Sequence, residues 1–525
     1  MMTHALTRSF SLSEDDVDSL VNLLLERETP MTTEQLALIL LEQRLQAEHD
    51  ALEARYRDTQ LYNPAHTYTD GSRLIFPQFD YATATVKQVR PGDNQDYGPY
   101  QVIAVEFDAA IHNTNGAAPR EFAAGLTMPH ALIQSAADLD AAEAPNMSAS
   151  ETLEQGRNVI LSTLQTALKA RTELMQMAGQ WFVRDLVMDV DMGTMHLTEA
   201  VLDMNNGGPL SPEEILGQIG GLGSAGMGLQ IFSLNLAMSK DGRFDEVGPS
   251  GQIRWYLTRM EPTIVRAVPE WLDYREIPYD EDLLTEDMID LETELDDELT
   301  DIDFEGRLRR ATTTLLYPHR RAGTLPLNAK TRMIFPSART PRIYVELIDT
   351  SDNESFTGWV VHEHKYVYGL EPFYTKHRFP VGGRLTVEQG DKPGQIKLSF
   401  EGYKARTEWI RMFVPSPDQI LFENRKRAIG AAYDDLFIFG VDELRPLDQM
   451  VKAHRNKTMV TILRTLMTEL GKLSPQGTVH VTTLYSVFNV IRRSPPGPLF
   501  AILRANSDFE DVGDHYWKLS SQERG

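Results

Sequence analysis

The chain has 525 residues, of which 42% are hydrophobic and 24% charged, with no cysteine and a formal net charge of −25. This is the composition of an ordinary globular protein, and the lack of cysteine excludes disulfides, thiolate chemistry and Cys-based zinc sites. No stretch approaches the roughly 18 apolar residues of a membrane span, and the N-terminal residues have no apolar signal core. We therefore expect a cytoplasmic protein with no membrane partner.

Two helices are predicted at the N-terminus. Ser13 with Asp16, and Thr32 with Gln35, have the spacing of helix-capping residues, and "TPMTTEQ" separates the two helices. The pattern then changes to short alternating runs with Gly, Asn and Asp turns, which predicts a β-rich module over residues 51–134.

A linker is predicted at "SAADLDAAEAPNMSAS", Ser135 to Ser150. Helices are predicted to follow over Glu151–Met177 and around Trp181–Met188. A helix with Ser211 as its cap and Pro212 at its first position comes next, so the G-x-G-x-x-G of "GGLGSAGMG" is predicted to be a loop between two helices rather than a nucleotide-binding turn.

The stretch "SKDGRFDEVGPSGQIRWYL", Ser239 to Leu257, predicts a helix end followed by a two-stranded hairpin. A glycine-containing turn lets the chain reverse, and Trp255 is predicted to pack back onto the helix. "NSDFEDVGDHYWKL", Asn506 to Leu519, repeats the pattern with Trp517 in the same place. Earlier helices around "TVHV" complete the element order of a winged helix in this second copy.

The residues of the first hairpin resemble the HARE-type winged helix of the bacterial RNA polymerase delta subunit. Asp241, Gly242-Arg243-Phe244, Val247-Gly248 and Trp255-x-Leu257 match that family's pattern over about residues 198–258. A degenerate copy over about 457–520 has Ser507-Asp508 where Gly-Arg would stand. The delta subunit also has a long acidic region, and the resemblance implies a transcription-associated or DNA-associated role.

A second β-rich block repeats the first one 259 residues later. Ile75-Phe76-Pro77 aligns with Ile334-Phe335-Pro336, and Val86 aligns with Val345. The repeat predicts a duplicated small β barrel. Residues 315–412 also resemble the DNA-binding pseudobarrels of plant transcription factors and some restriction enzymes, through Gly369-Leu370, Phe373-Tyr374 and Val381-Gly382-Gly383.

Charge is distributed unevenly along the chain. Residues 307–525 contain 32 Lys and Arg against 23 Asp and Glu, a net charge of +9, whereas residues 1–306 have 19 against 53, a net charge of −34. The segment Asp273–Glu305 alone has 16 acids and one Arg. This asymmetry predicts an acidic, solvated linker next to a part that binds a polyanion.

The fold class that these patterns predict is α+β and multidomain, with duplicated winged-helix and small β-barrel modules joined by an acidic linker. The predicted segments are a helix-turn-helix-like region, a first β-barrel module, a helical and winged-helix module, the acidic linker, a basic second β-barrel module, a connector and a basic C-terminal winged helix: 1–50, 51–134, 151–262, 263–306, 307–414, 415–450 and 451–525.

The resemblances and the basic C-terminal half predict a non-enzymatic DNA-binding protein with a transcription-associated or DNA-linked regulatory role, without cofactor or metal. The last helix of a winged helix enters the major groove and its wing contacts neighbouring phosphates. The predicted phosphate contacts are the following basic residues of the C-terminal module and of the second barrel: Arg492, Arg493, Arg504, Lys518, Arg378, Arg384 and Lys392.

Two alternatives remain open. The chain could be a protein-interaction scaffold that docks on RNA polymerase, with its wings as protein contacts. It could also be a metal-dependent nuclease, because Glu363-His364-Lys365 satisfies the E-x-K pattern and Asp349 lies upstream on a predicted strand. His362 and His364 are predicted to alternate on a strand.

Overall fold

The computed structural model describes residues 10–56, 59–76, 79, 82–94, 97–108, 120–127, 148–304, 306–416 and 419–520. The chain forms two compact units, one of Met1–Met188 with Gly226–Phe232 and one of Asp189–Ala225 with Ser233–Gly525. Both contain helices and strands, so the mixed α+β class is confirmed. The linker predicted at Ser135–Ser150 lies almost entirely outside the described residues.

The first unit contains a helical part built on α1 (Glu14–Arg27), α2 (Thr33–Tyr56) and α3 (Ala149–Lys169). The capping box of Ser13 and Asp16 and the paired bonds between Thr32 and Gln35 are present, as predicted. Leucines of the three helices form a shared core with Trp181.

A small sheet replaces the helix predicted around Trp181–Met188. Its strands are β1 (Met31–Thr32), β7 (Leu174–Met177) and β8 (Gln180–Val183), in the order β1-β8-β7. Trp181, Phe182 and Val183 are aromatic or β-branched and favour a strand, and Ala178-Gly179 at positive φ closes the β7–β8 turn. The prediction of helix to Met177 and beyond was therefore wrong after Lys169.

The first unit also contains a five-stranded sheet, in which neighbouring strands follow chain order. The strands are β2 (Thr59–Leu61), β3 (Arg73–Phe76), β4 (Ala82–Pro91), β5 (Gln101–Phe107) and β6 (Arg120–Ala124). Tyr62, Phe76, Val86 and Ile103 lie in its core.

A module of three helices and a hairpin follows: α4 (Met192–Met204), α5 (Pro212–Ile219), α6 (Met227–Ser239), β9 (Phe244–Glu246) and β10 (Trp255–Leu257). It belongs to the second unit except for the start of α6, up to Phe232, which is part of the first unit. The glycine-rich stretch lies between α5 and α6, as predicted. Trp255 is buried, pairs with Leu210 in an isolated bridge, and donates from Nε1 to Asn235 Oδ1 of α6 at 2.8 Å.

The predicted acidic linker is folded over much of its length. A short helix α7 (Thr263–Arg266) precedes α8 (Glu286–Leu295), and Met288 and Leu291 of α8 lie in the largest core. These apolar residues have helical spacing, which buries one face of α8. The charge pattern alone predicted a solvated segment, and this prediction was wrong for α8.

A curved, nearly closed sheet of seven strands follows the acidic segment. Its strands and two short helices are β11 (Arg310–Thr314), α9 (Tyr317–Ala322), β12 (Thr324–Pro326), β13 (Arg342–Asp349), β14 (Ser355–Val361), β15 (Tyr366–Tyr368), α10 (Glu371–Lys376), β16 (Arg384–Gln389) and β17 (Gln395–Phe400). The strand order is β11-β16-β17-β13-β14-β15-β12, and only the β13–β17 pair is parallel.

The two β-rich blocks that were predicted to be repeats of each other are similar in structure only in part. Val86 and Val345 both lie on the first strand of a hairpin, in β4 and β13. Phe76 lies on β3, however, whereas Phe335 lies outside any strand, and the two sheets have different strand orders. The duplication stays a prediction.

A long hairpin occupies part of the region predicted as a connector. β18 (Gly402–Pro415) pairs with β19 (Ile420–Ala431), and β20 (Phe439–Val441) adds to β18 in parallel. Helix α11 (Leu444–His454) comes afterwards. The expectation of a helical connector from residue 415 was therefore wrong up to β20.

The C-terminal elements have the predicted order of helix, strand, two helices and hairpin: α12 (Met459–Gly471), β21 (Val479–His480), α13 (Val481–Ile491), α14 (Pro496–Ala505), β22 (Phe509–Gly513) and β23 (Tyr516–Leu519). The sheet order is β21-β23-β22. Trp517 is buried and pairs with Val479, much as Trp255 pairs with Leu210.

Candidate nucleic-acid interface

The third helix of the C-terminal module, α14, is covered by other parts of the chain. All of its residues from Pro496 to Leu503 except Ile502 are buried. The backbone N–H of Gly497 donates to Glu292 Oε1 of the acidic segment at 3.1 Å, and a Cβ at Gly497 would collide with Tyr279. Arg504 and Ala505 at the C-terminal end of α14 are exposed, but the rest of the helix is largely buried, so in this conformation α14 cannot lie in a DNA groove as predicted.

Arg493 is the clearest correction to the predicted phosphate contacts. It is 3% exposed. Its Nη2 atom lies 2.7 Å from Asp297 Oδ1 and 2.6 Å from Glu298 Oε1. His319 completes the cluster through Nε2, 3.0 Å from the same glutamate oxygen. A buried guanidinium is stable only with such partners, so this arginine holds the acidic segment to the C-terminal module and is not a surface residue.

The pKa of Glu298 reflects this arrangement. Burial raises it, but the positive charge of Arg493 and the bond from His319 outweigh burial, so that the pKa of Glu298 lies well below its usual range. The carboxylate therefore stays charged at neutral pH inside the core, as the cluster requires.

The other predicted residues of the C-terminal module are more accessible but are partly paired. Arg492 is half-buried. Arg504 is exposed and lies 3.7 Å from Asp511, and Lys518 lies 3.1 Å from Glu510. Both pairs are on or beside the β22–β23 hairpin, where the acids Glu510, Asp511 and Asp514 outnumber the single Lys518, so the wing is not a basic surface.

The barrel residues lie on three separate features. Arg378 is exposed and lines a large cavity, without an ion pair to any described residue. Arg384 lines a different cavity and lies 3.5 Å from Asp434. Lys392 is exposed between β16 and β17.

Asp349 and His362 of the nuclease alternative are engaged in structural contacts, whereas Glu363 and Lys365 of the E-x-K pattern are exposed. Asp349 lies at the end of β13, as predicted, and accepts from Lys376 at 2.9 Å and His377 at 2.6 Å. His362 and His364 lie on a 3-10 turn, not a strand, because β14 ends at Val361. Among the described residues there is no group of three acidic or histidine side chains placed to hold a metal ion.

The long hairpin presents a feature that was not predicted. Trp409 of β18 is 66% exposed, and Lys426 on the opposite strand places its Nζ 5.1 Å from the ring centroid. On the same strand, the guanidinium of Arg406 lies 5.6 Å from the centroid of Tyr403. The sequence signal was the mixture of basic and aromatic residues in "YKARTEWIRM" and "ENRKRAI".

Trp409 borders a cleft that the C-terminal wing also lines. The cleft has a volume of about 310 Å³, and its walls include Asn424 from the hairpin, His480 from β21 and Tyr516 from β23. Tyr516 is 39% exposed. Two accessible aromatic rings therefore flank one cleft. We name this surface the hairpin cleft.

The charge of the hairpin cleft comes from the hairpin rather than from its histidine. Burial, reinforced by His515, lowers the pKa of His480 to about 4, so His480 is neutral at pH 7. The lining of the cleft includes Arg411 and Asp435. Beside it, Lys426 lies on the same face as Trp409 and has no carboxylate partner within 4.0 Å among the described residues, whereas Arg406 lies on the opposite face of β18 with Ile410.

The comparisons with known proteins give no match. No protein family, no curated protein and no solved structure corresponds to the chain. Within the part of the chain that the structure describes, no helix is both long and apolar enough to cross a membrane.

Proposed function

We propose that this chain is a non-enzymatic DNA-binding protein that acts in the cytoplasm in a transcription-associated or DNA-linked regulatory role. We further propose that it binds single-stranded DNA at the hairpin cleft, rather than duplex DNA through α14. The observation that carries the proposal is the exposed ring of Trp409 beside Lys426.

An exposed tryptophan on a basic β-hairpin favours the binding of single-stranded DNA over duplex DNA. Every base has a π face, and stacking on an aromatic side chain contributes about 1–3 kcal/mol per base. Duplex DNA keeps its bases stacked on one another, so it cannot use the ring of Trp409 without distortion. Tyr516, which also lines the cleft, offers a second stacking surface.

Unpaired cations of the hairpin supply the electrostatic part of the binding energy. A single strand that contacts Lys426, on the face of Trp409, and Lys404 neutralises about two phosphates, which predicts a salt slope of about −1.4 in log K against log salt concentration. The overall charge of −25 opposes non-specific binding elsewhere on the chain.

The test is fluorescence anisotropy of a labelled single strand and of the matching duplex, from about 50 to 200 mM salt. We expect tighter binding of the single strand, and Lys426→Gln should lower the salt slope by about 0.7. Lys240→Gln is the matched control, because Lys240 is exposed and lies outside the cleft. Equal loss in both variants would contradict the assignment.

A protein-interaction scaffold docking on RNA polymerase is the second candidate. It is favoured by the way the first hairpin is used within the chain. Val247 accepts from the backbone N–H of Tyr344 at 2.8 Å, and Ser250 donates to Ser337 O at 2.7 Å, so this wing packs on the barrel-like sheet. A pulldown with and without nuclease treatment separates the candidates, because a nuclease-resistant polymerase complex would favour the scaffold.

A further inference from the structure

A large cavity of the second unit lies away from the hairpin cleft. Its volume is about 910 Å³, and its lining includes Val381, Ile410, Met412 and Phe439, all buried residues. Sites for small organic ligands have volumes of about 300–1,000 Å³, with mostly apolar walls and a few polar groups. The cavity has a volume in this range, and its lining combines the apolar residues with four arginines and two carboxylates.

Two polar atoms in the cavity wall are buried without a partner. The hydroxyl of Tyr317 has no hydrogen-bond partner, although the side chain is only 4% exposed. The Nε atom of Arg321 is likewise unpartnered, while its Nη2 lies 3.2 Å from Asp448. A buried polar group without a partner is costly, and a bound ligand with an acceptor atom would remove that cost.

The charges of the lining do not cancel. Arg320 lies 3.5 Å from Glu371, Arg321 is paired with Asp448, and Arg427 is paired with Asp442. The fourth arginine, Arg378, has no carboxylate partner among the described residues and is exposed. One positive charge therefore remains uncompensated at the cavity.

The backbone at Arg378 ends helix α10. Its φ is 48°, in the left-handed region, and the N–H of the next residue, Phe379, donates to Tyr374 O at 2.9 Å, as is common where helices end. Phe379 is buried and anchors the chain in the barrel core, which fixes the position of Arg378.

We propose that this cavity binds a small amphipathic carboxylate, with its apolar body against Ile410, Met412 and Phe439 and its carboxylate at Arg378 and Tyr317. A single negative charge matches the one uncompensated arginine. A phosphate monoester carries about −1.5 to −2 at pH 7 and would leave excess negative charge. The inference does not rest on DNA binding, because the hairpin contributes Ile410 and Met412 to this cavity from the face opposite Trp409.

The test is isothermal titration calorimetry of the full chain with dodecanoate below its micelle concentration. We expect one site per chain, weakened about tenfold or more by Arg378→Gln and about two- to tenfold by Tyr317→Phe. Lys240→Gln is the matched control, because it removes an exposed cation outside the cavity, and it should leave affinity unchanged. Tyr317→Phe removes only an unpartnered hydroxyl, so the variant should fold.

Dodecyl phosphate and dodecyltrimethylammonium test the head group. We expect dodecyl phosphate to bind less tightly than dodecanoate and the cationic amphiphile not to compete. Any of three results would overturn the proposal: no binding of dodecanoate, equal affinity of the cationic amphiphile, or unchanged affinity in Arg378→Gln. Preference for the phosphate would reject the carboxylate as the ligand class.

Discussion

Arg493 and Asp297, which are 196 residues apart in the chain, form a two-point buried ion pair: Nη2 lies 2.7 Å from each carboxylate oxygen. Their side chains are 1% and 0% exposed. The acidic segment is thus an integral part of the C-terminal module, and its buried acids are distinct in role from the exposed acids around them.

The first prediction concerns this ion pair. Arg493→Met leaves two buried carboxylates without their cation, and removing one partner of a buried pair costs about 3–5 kcal/mol. Arg504→Met is the control, because Arg504 is exposed and its pair with Asp511 should contribute less than about 1 kcal/mol. Urea unfolding followed by circular dichroism measures both. Equal urea midpoints for the two variants would show that the buried pair of Arg493 and Asp297 does not stabilise the fold.

A fragment of residues 307–525 lacks Asp297, Glu298, Met288 and Leu291. Because these residues fill and pair with the C-terminal core, we expect the fragment to unfold without the cooperative transition of the full chain. In contrast, replacing the exposed Asp287 and Asp290 by Asn should change stability by no more than about 0.5 kcal/mol each. If the fragment folds cooperatively, the acidic segment is not needed for the fold of residues 307–525 and is only a linker.

The two buried tryptophans are predicted to differ. Trp255 Nε1 donates to the buried Asn235, whereas Trp517 Nε1 has no partner. Trp255→Phe should therefore cost about 1–3 kcal/mol more than Trp517→Phe, because it leaves Asn235 unsatisfied. Thermal unfolding of both variants checks this, and a larger loss in Trp517→Phe would refute the hydrogen-bond account.

These tryptophans also show what a single sequence can reveal. Alternating apolar residues beside a glycine turn are local, so both hairpins and their buried rings were predictable. Arg493 was not, because its burial depends on Asp297 and Glu298, far away in the chain. Local charge composition predicted that the acidic segment and the basic C-terminal module are both solvated. In the structure, tertiary packing buries Asp297, Glu298 and Arg493 against one another.

The candidate interface was missed for a related reason. β19 contains consecutive Arg425, Lys426 and Arg427, which point alternately to its two faces, so the sequence shows no alternation of polar and apolar residues there, and the strand is defined mainly by pairing with β18. The exposure of Trp409 could not be derived from periodicity either, because most tryptophans are buried. Only the interleaving of basic and aromatic residues was visible in advance.

The contact between the first hairpin and the barrel-like sheet should depend on pH. Burial, followed by the effect of Asp245, raises the pKa of Glu261 to about 8, and Arg342 contacts both acids. The folded chain then binds more protons than the unfolded chain between about pH 4.5 and 8, so stability should fall as pH rises through that window. Glu261→Gln should flatten this decline in urea titrations, and an unchanged pH profile would contradict the shift.

The most direct test of the central claim compares Trp409→Ala with Trp409→Phe in anisotropy titrations of a labelled single strand at fixed salt. We predict that the alanine variant loses between about five- and 150-fold in affinity, while phenylalanine, which keeps a π face, retains most of it. Met204→Ala, which removes an exposed apolar residue outside the cleft, should match the wild type. If the alanine variant binds the strand as tightly as the wild type, the hairpin cleft is not a nucleic-acid interface.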